Sequence, residues 1–383
     1  MTLRKFIFWP HLITGCLAGV VVLIMSVTGT LLMYEKQIIA WADEREYRSE
    51  PPTEGAARLP VEDLIDAAKQ SKGVLPSQIT LRSDPQAPAM LSYGREGALY
   101  VNPYSGAILG PGSPEVRDFF RSVTEWHRWL GAAGASRPAA RAVTGACNLA
   151  FLFLIVSGFY LWMPKRWPWQ HLKPVMVFRG GLAGKARDFN WHNVFGVWCA
   201  VPLFFVVLGG VVISYPWAGN LAYRLAGSEP PKQQGPPRDA AQAKVVMAEG
   251  LQSSWIAAER SVVDWRAITM RLPASERAPL LFTIDGGYAG QPQKRITLTI
   301  NRHTAKIEKS QGFANMDSGR RLRTWLRFVH TGEYYGLVGQ TVAGVASAGG
   351  AFLVWTGIAL SLRRLRSWRA RRNSTMETLV GAG

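Results

Sequence analysis

Acidic residues and cysteines are in short supply. The 383 residues include 26 Asp and Glu against 44 Lys and Arg, which leaves a formal charge of +18. Only three cysteines occur, Cys16, Cys147 and Cys199, all inside apolar runs, and neither C-x-x-C nor C-x-x-C-H is present. That pattern argues against disulfides, iron–sulfur clusters and covalently attached c-type haem. A strand followed by G-x-G-x-x-G is missing, as is any cytoplasm-facing soluble stretch long enough for a nicotinamide or flavin domain. Histidine is rare too, with six in all.

A chain that is 48% hydrophobic yet carries +18 needs either a membrane or a nucleic acid to account for it. Four stretches decide for the lipid bilayer and against nucleic acid. Leu12 to Tyr34, Ala142 to Met163, Val194 to Tyr215 and Leu337 to Leu362 contain no Asp, Glu, Lys or Arg. Each is long enough to cross roughly 30 Å of hydrocarbon as a helix. The first exceeds a signal-peptide core and no small-residue cleavage site follows it, so it reads as a retained anchor. Arg4 and Lys5 precede helix one, Lys165 to Arg187 supply six basic residues between helices two and three, and Arg363 to Arg372 supply six after helix four. Basic residues collect on the cytoplasmic side, so both termini are expected there, in the inner membrane of a bacterium.

The expected organisation is a cytoplasmic N-terminus and helix one (1–34), a periplasmic domain (35–125), an interfacial segment and helix two (126–163), a basic cytoplasmic loop (164–191), helix three (192–215), a second periplasmic domain (216–328), an interfacial segment and helix four (329–362), and a cytoplasmic tail (363–383). The chain repeats itself. Laid over helix three without gaps, helix one brings His11 onto His192, Gly15 onto Gly196, Gly29 onto Gly210 and Tyr34 onto Tyr215. Helix two falls likewise on helix four, with Gly145 on Gly344 and Gly158 on Gly357. ALYVNPYSGAILG (98–110) and RITLTINRHTAKIEK (295–309) both read as strand, tight turn, strand, and a helical stretch precedes each, from Pro60 and from Ala241. The fold class is therefore an integral membrane α-helical protein, four transmembrane helices in two parallel repeats about an axis along the membrane normal, with two small α+β domains on one side.

Four of the six histidines sit at membrane boundaries, His11 and His192 at one, His127 and His330 at the other. Two neutral imidazoles facing each other across a bundle axis are what a six-coordinate haem iron needs. Taken singly, an interfacial histidine beside tryptophan is more simply an amphipathic residue at headgroup level; four at matched depths outweigh that reading. Zinc fits less well, because two histidines per side leave a tetrahedral site short of ligands. Gly15, Gly196 and Gly131, four residues after their histidines, would leave room for a flat macrocycle, a spacing that HTGEYYG around His330 breaks. Gly29, Gly158, Gly210 and Gly357 read first as close helix packing. His171 and His303 read as loop residues. Arg128, Arg323 and Arg327 suit haem propionates and ordinary flanking charge equally.

HLITG, a YVNPYSG hairpin, EWHRWLG with SGFYLWMPKRW, NWHNVFG, a second hairpin and TGIALSLRR, in that order, resemble the PepSY-associated transmembrane family of iron-regulated inner-membrane proteins, and most closely its FoxB-type ferric-siderophore reductases. The resemblance covers nearly the whole chain. It implies PepSY-like periplasmic domains, haem b in the bundle (two groups) bound through His11, His192, His127 and His330, and reduction of a ferric siderophore, hydroxamate types included, on the periplasmic side. The electron donor would be a membrane quinol or a separate cytoplasmic reductase. A membrane-anchored binding or regulatory protein and a siderophore transporter are the alternatives. Spans without charge and with Pro202 as the lone interruption speak against transport.

Overall fold

The computed structural model describes residues 2–163, 169–231, 246–247, 249–273, 275, 278–287 and 290–380. In chain order they form α1 (Leu3–Leu32), α2 (Glu35–Glu46), α3 (Val61–Lys72), β1 (Gln78–Arg82), β2 (Ala89–Ser92), β3 (Ala98–Val101), β4 (Ile108–Gly110), α4 (Pro114–Trp129), α5 (Arg137–Trp162), α6 (Trp169–Met176), α7 (Gly184–Ser214), α8 (Pro216–Leu225), α9 (Leu251–Arg260), β5 (Ala267–Arg271), β6 (Leu280–Asp285), β7 (Arg295–Ile300), β8 (Ile307–Gly312), α10 (Ser318–His330) and α11 (Gly336–Val380).

Helices α1, α5, α7 and α11 contain the four expected apolar runs and are long and apolar enough to cross a membrane. All four begin ahead of their apolar runs; α1, α5 and α7 stop one or two residues short of the end of the run, and α11 extends well past it. α1 starts at Leu3, and α11 continues past Leu362 to Val380, because Lys and Arg are good helix formers once the chain has left hydrocarbon. α1 and α7 each pack on both α5 and α11, so α1 and α7 stand diagonally across the bundle. Its centre is filled by Ala18, Val22, Phe151, Ile155, Leu203, Val207 and Ala346. Many lipid-side positions remain exposed apolar residues, such as Leu17, Val201 and Val345, as a bilayer-facing surface requires. At the end bearing the C-terminal tail, buried Asp188 accepts from Arg187 (2.9 Å) and Arg363 (3.1 Å), which ties α7 to α11.

At the other end lies one antiparallel sheet of eight strands, ordered β4-β3-β2-β1-β5-β6-β7-β8. Strands from both connecting segments share it, because β1 pairs with β5 in the middle. The expected hairpins are β3–β4 and β7–β8. In both turns one asparagine carboxamide accepts from two backbone amides: Asn102 from Tyr104 and Ser105, Asn301 from His303 and Thr304. His303 is an exposed turn residue. The helical stretch expected from Pro60 is α3. Of the one expected from Ala241, residues 241–245 and 248 lie outside the described residues and the rest includes α9. Both helices cover one face of the sheet, over a core containing Leu64, Ile79, Leu91, Trp255, Met270, Phe282 and Ile300. Strand residues alternate across a sheet, so the opposite face carries Thr80, Thr269, Thr283 and Thr297, neighbours in one row across β1, β5, β6 and β7.

That second face is tied to the helices below it. The Tyr100 hydroxyl on β3 donates to Asp43 of α2 (2.6 Å), and Asp43 also accepts from Arg117 of α4 and from the Ser113 amide. Burial first, then the Asp43 carboxylate, push Tyr100 far above an ordinary phenol, so it remains a donor. Asp43 is 2% exposed. Its replacement by alanine leaves a guanidinium and a phenol without their acceptor, and the Asp43→Ala protein is expected to be destabilised by about 3–5 kcal/mol, measured as a lower Tm in detergent.

Candidate functional site

Each boundary histidine occupies a socket of the same design. The ring edge rests on a glycine of another helix: a Cβ built there would meet the histidine Cε1 at 3.2 Å for Gly158 and His11, 3.4 Å for Gly357 and His192, 3.3 Å for Gly29 and His127, and 3.2 Å for Gly210 and His330. Any larger residue would push the ring away. The glycines expected to serve helix packing are thus the seats of the histidines. Gly15 and Gly196 have only one leucine methyl group each, at 3.8 Å, near a would-be Cβ. Gly131 has φ +76° and lies against Trp126, directly after Leu130, the left-handed cap that ends α4.

The residue before the seat orients the ring. His11 Nδ1 meets Ser157 Oγ at 2.8 Å, His192 Nδ1 meets Thr356 Oγ1 at 3.0 Å, and His127 Nδ1 meets Thr28 Oγ1 at 2.9 Å. Each hydroxyl already donates its proton one turn back, to Phe153 O (2.7 Å), Phe352 O (2.7 Å) and Ile24 O (2.6 Å) respectively. It can therefore only accept from the histidine, which assigns the proton to Nδ1 and leaves the Nε2 lone pair free. His330 reaches the same tautomer by another route, since its Nδ1 lies 2.7 Å from the Val206 carbonyl, an obligate acceptor. Position 209 is glycine because α10 crosses there, and a Cβ would collide with Leu326 O and with His330 Cβ at 2.8 Å.

α1 and α7 each carry a histidine at one level and a glycine seat about five turns on, roughly 27 Å along the axis. His11 and His192, near the tail end, are within electrostatic reach of each other. His127 and His330, near the sheet, are brought together by α4 leaning on α1 and α10 on α7, and their ring centroids are 6.3 Å apart with planes inclined at 48°. Burial first, and next the charge of His330, push His127 down to about 4; burial likewise lowers His330. Both shifts favour the neutral imidazole, the form that can ligate a metal.

These observations test the fit of a b-type haem. Two metal–imidazole bonds of about 2 Å each, with every ring centre a further ~1 Å behind its nitrogen, place two axial rings roughly 6 Å apart. The sheet-side pair matches that spacing. Between and above the rings is a cavity of about 390 Å³, lined by Met25, Phe151 and Leu203 within the bundle and by Glu35, Lys36 and Arg327 at its mouth. The described residues contain no group of three or more His, Cys, Asp or Glu placed to hold a metal ion, so a cofactor that brings four equatorial ligands suits the donor set better than a bare ion. His171 belongs to α6, and Arg128 lies over Trp129. Arg327 lines the cavity mouth; Arg128 and Arg323 do not.

Sequence reasoning overlooked Thr28, Ser157 and Thr356. The signal was present as a recurring hydroxyl–glycine pair, T-G, S-G and T-G, in three of the four spans.

No curated protein matches the chain. The family model of the PepSY-associated TM region matches residues 8–364, which takes in all four apolar runs, all four sockets and the whole sheet. The chain belongs to the PepSY-associated transmembrane family.

Proposed function

We propose that the protein is a haem-b-containing inner-membrane reductase that passes electrons across the bilayer to ferric iron held by a siderophore in the periplasm. The observation that carries this reading is the pair His127 and His330, ring centroids 6.3 Å apart, each with Nδ1 engaged by Thr28 or Val206 and so with the Nε2 lone pair left for a metal. The distribution of basic residues supports a cytoplasmic tail side and a periplasmic sheet, read as two PepSY-like halves of a duplicated chain. His11 and His192 would hold one haem and His127 and His330 the other; bound there, haem would supply one-electron chemistry, with a membrane quinol or a cytoplasmic reductase as donor. The seryl, threonyl and carbonyl partners orient the ligands, and the apolar bundle excludes water. Arg327 at the sheet-side mouth offers a guanidinium to anionic groups. Reduction weakens hard-oxygen chelation and so releases the iron.

The test is a visible spectrum of detergent-purified protein before and after dithionite, with the haem extracted and counted. Sharp reduced bands and two haems per chain are the expected result. A colourless protein, expressed with ample haem, overturns the reading and leaves a membrane-anchored binding module. Thr28→Val keeps the shape of its socket but removes the acceptor for His127, and is expected to weaken haem retention at the sheet-side level by about 10- to 100-fold, read from haem transfer to apomyoglobin.

A further inference from the structure

Glu35 opens α2 just beyond the end of α1, and it lines the same cavity as His127 and His330. Its neighbour Lys36 turns to Glu333 instead, at 2.6 Å. Glu333 is further held by the Thr331 hydroxyl (3.1 Å) and packs against Gly290 of the β6–β7 loop. Of the two carboxylates at the mouth, one is thus clamped, while the Glu35 carboxylate makes no hydrogen bond or ion pair among the described residues. The charged and titratable groups around this cavity are Lys36 on α2, Glu333 in the turn before α11, Arg327 and His330 on α10, His127 on α4 and Arg295 on β7. Arg295 is committed to Asp285 at 3.0 Å. Burial raises Glu35 above the ordinary carboxylate range; Lys36 opposes the rise and Glu333 adds to it.

Negative charge added to a poorly solvated cavity raises the proton affinity of a nearby carboxylate, and an unpaired one responds most. We propose that Glu35 is the redox-linked proton site of the sheet-side level, taking up one proton when an electron arrives there and releasing it when the electron leaves. This rests on the haem reading above. One electron and one proton enter together, so the cavity keeps its net charge. On leaving, the electron reduces chelated Fe(III) to Fe(II), and the proton goes to a chelate oxygen, whose O–H bond forms as its bond to iron breaks. The donor is the quinol or reductase and the oxidant is the ferric chelate, so charge and atoms balance. Glu35 then stays ionised until the next electron arrives, when it takes its proton from periplasmic water.

The reduction potential of the sheet-side level should fall as pH rises through the window above the ordinary carboxylate range, by up to about 59 mV per pH unit, the one-electron equivalent of a tenfold change. Optical redox titrations of the full-length protein between about pH 5 and 8 test this, with the sheet-side component identified as the one lost in His330→Ala. Wild type should show the slope, and Glu35→Gln should flatten it while keeping the reduced spectrum. An unchanged slope in Glu35→Gln overturns the proposal and leaves the haem reading standing, whereas a colourless wild type overturns both. Should Glu35→Gln fail to take up haem, Glu35→Asp decides: a window displaced in pH supports the assignment, and a wild-type window overturns it.

Discussion

Replacing His330 with alanine is expected to remove the haem of the sheet-side level and leave the other level loaded, halving the haem content per chain and abolishing oxidation of the reduced protein by a ferric chelate. His330 sits in a buried socket, its Nδ1 is fixed on the Val206 carbonyl, and its ring faces His127 at 6.3 Å. Among the described residues no group of three or more His, Cys, Asp or Glu is placed to hold a metal ion. His192→Ala should do the converse at the tail-side level. Pyridine haemochrome counts on the two variants, with their reduced spectra, check the assignment. A His330→Ala protein that keeps two haems with an unaltered spectrum would remove His330 from the ligand set.

Gly209→Ala should reach nearly the same phenotype with every histidine in place. The added methyl would run into the Leu326 carbonyl and into His330 Cβ at 2.8 Å, and both belong to α10, so the helix has to lift off α7. Overpacking of this kind costs about 1–3 kcal/mol. The larger effect is geometric, because His330 moves with its helix, away from Val206 and out of register with His127. Loss of the sheet-side haem with the far-ultraviolet circular dichroism retained is the expected pair of results. Gly15→Ala is the control, since its Cβ would meet only Leu154 at 3.8 Å, and it should leave the haem content unchanged.

The spans were legible because four runs without charge admit few other readings, and the hairpins because Asn102 and Asn301 advertise tight turns. Histidine scarcity made the four boundary residues stand out. The sockets were harder to see. Gly29 and His127 are far apart in sequence and meet only because α4 folds back on α1, so Gly29 looked like packing between spans. The irregular glycine spacing after His330 also has a local cause. Gly332 has φ +69°, and a Cβ there would collide with the backbone of Gly339 and Gln340, so it serves the tight turn into α11. The joining of the strands into one sheet was hidden because QITLR and AITMR are short and half polar, with no turn between them to mark them as partners.

Those two strands have a consequence of their own. Along β1 and β5, Ile79 opposes Met270 while Leu81 opposes Ile268, and Thr80 opposes Thr269, their hydroxyls 2.8 Å apart. QITLR and AITMR align residue for residue, so the junction pairs each position with the counterpart of its mirror position, and a two-fold axis passes between the two threonines. That is the self-complementary contact of a symmetric dimer. A polypeptide of half this length, ending after its second span, would carry the same sticky strand and could pair with an identical copy through it, rebuilding the sheet and facing one copy's histidines with the other's. Covalent linkage frees the halves to diverge in sequence, as Gly209 in place of a threonine already illustrates, while the shared seam keeps them in step.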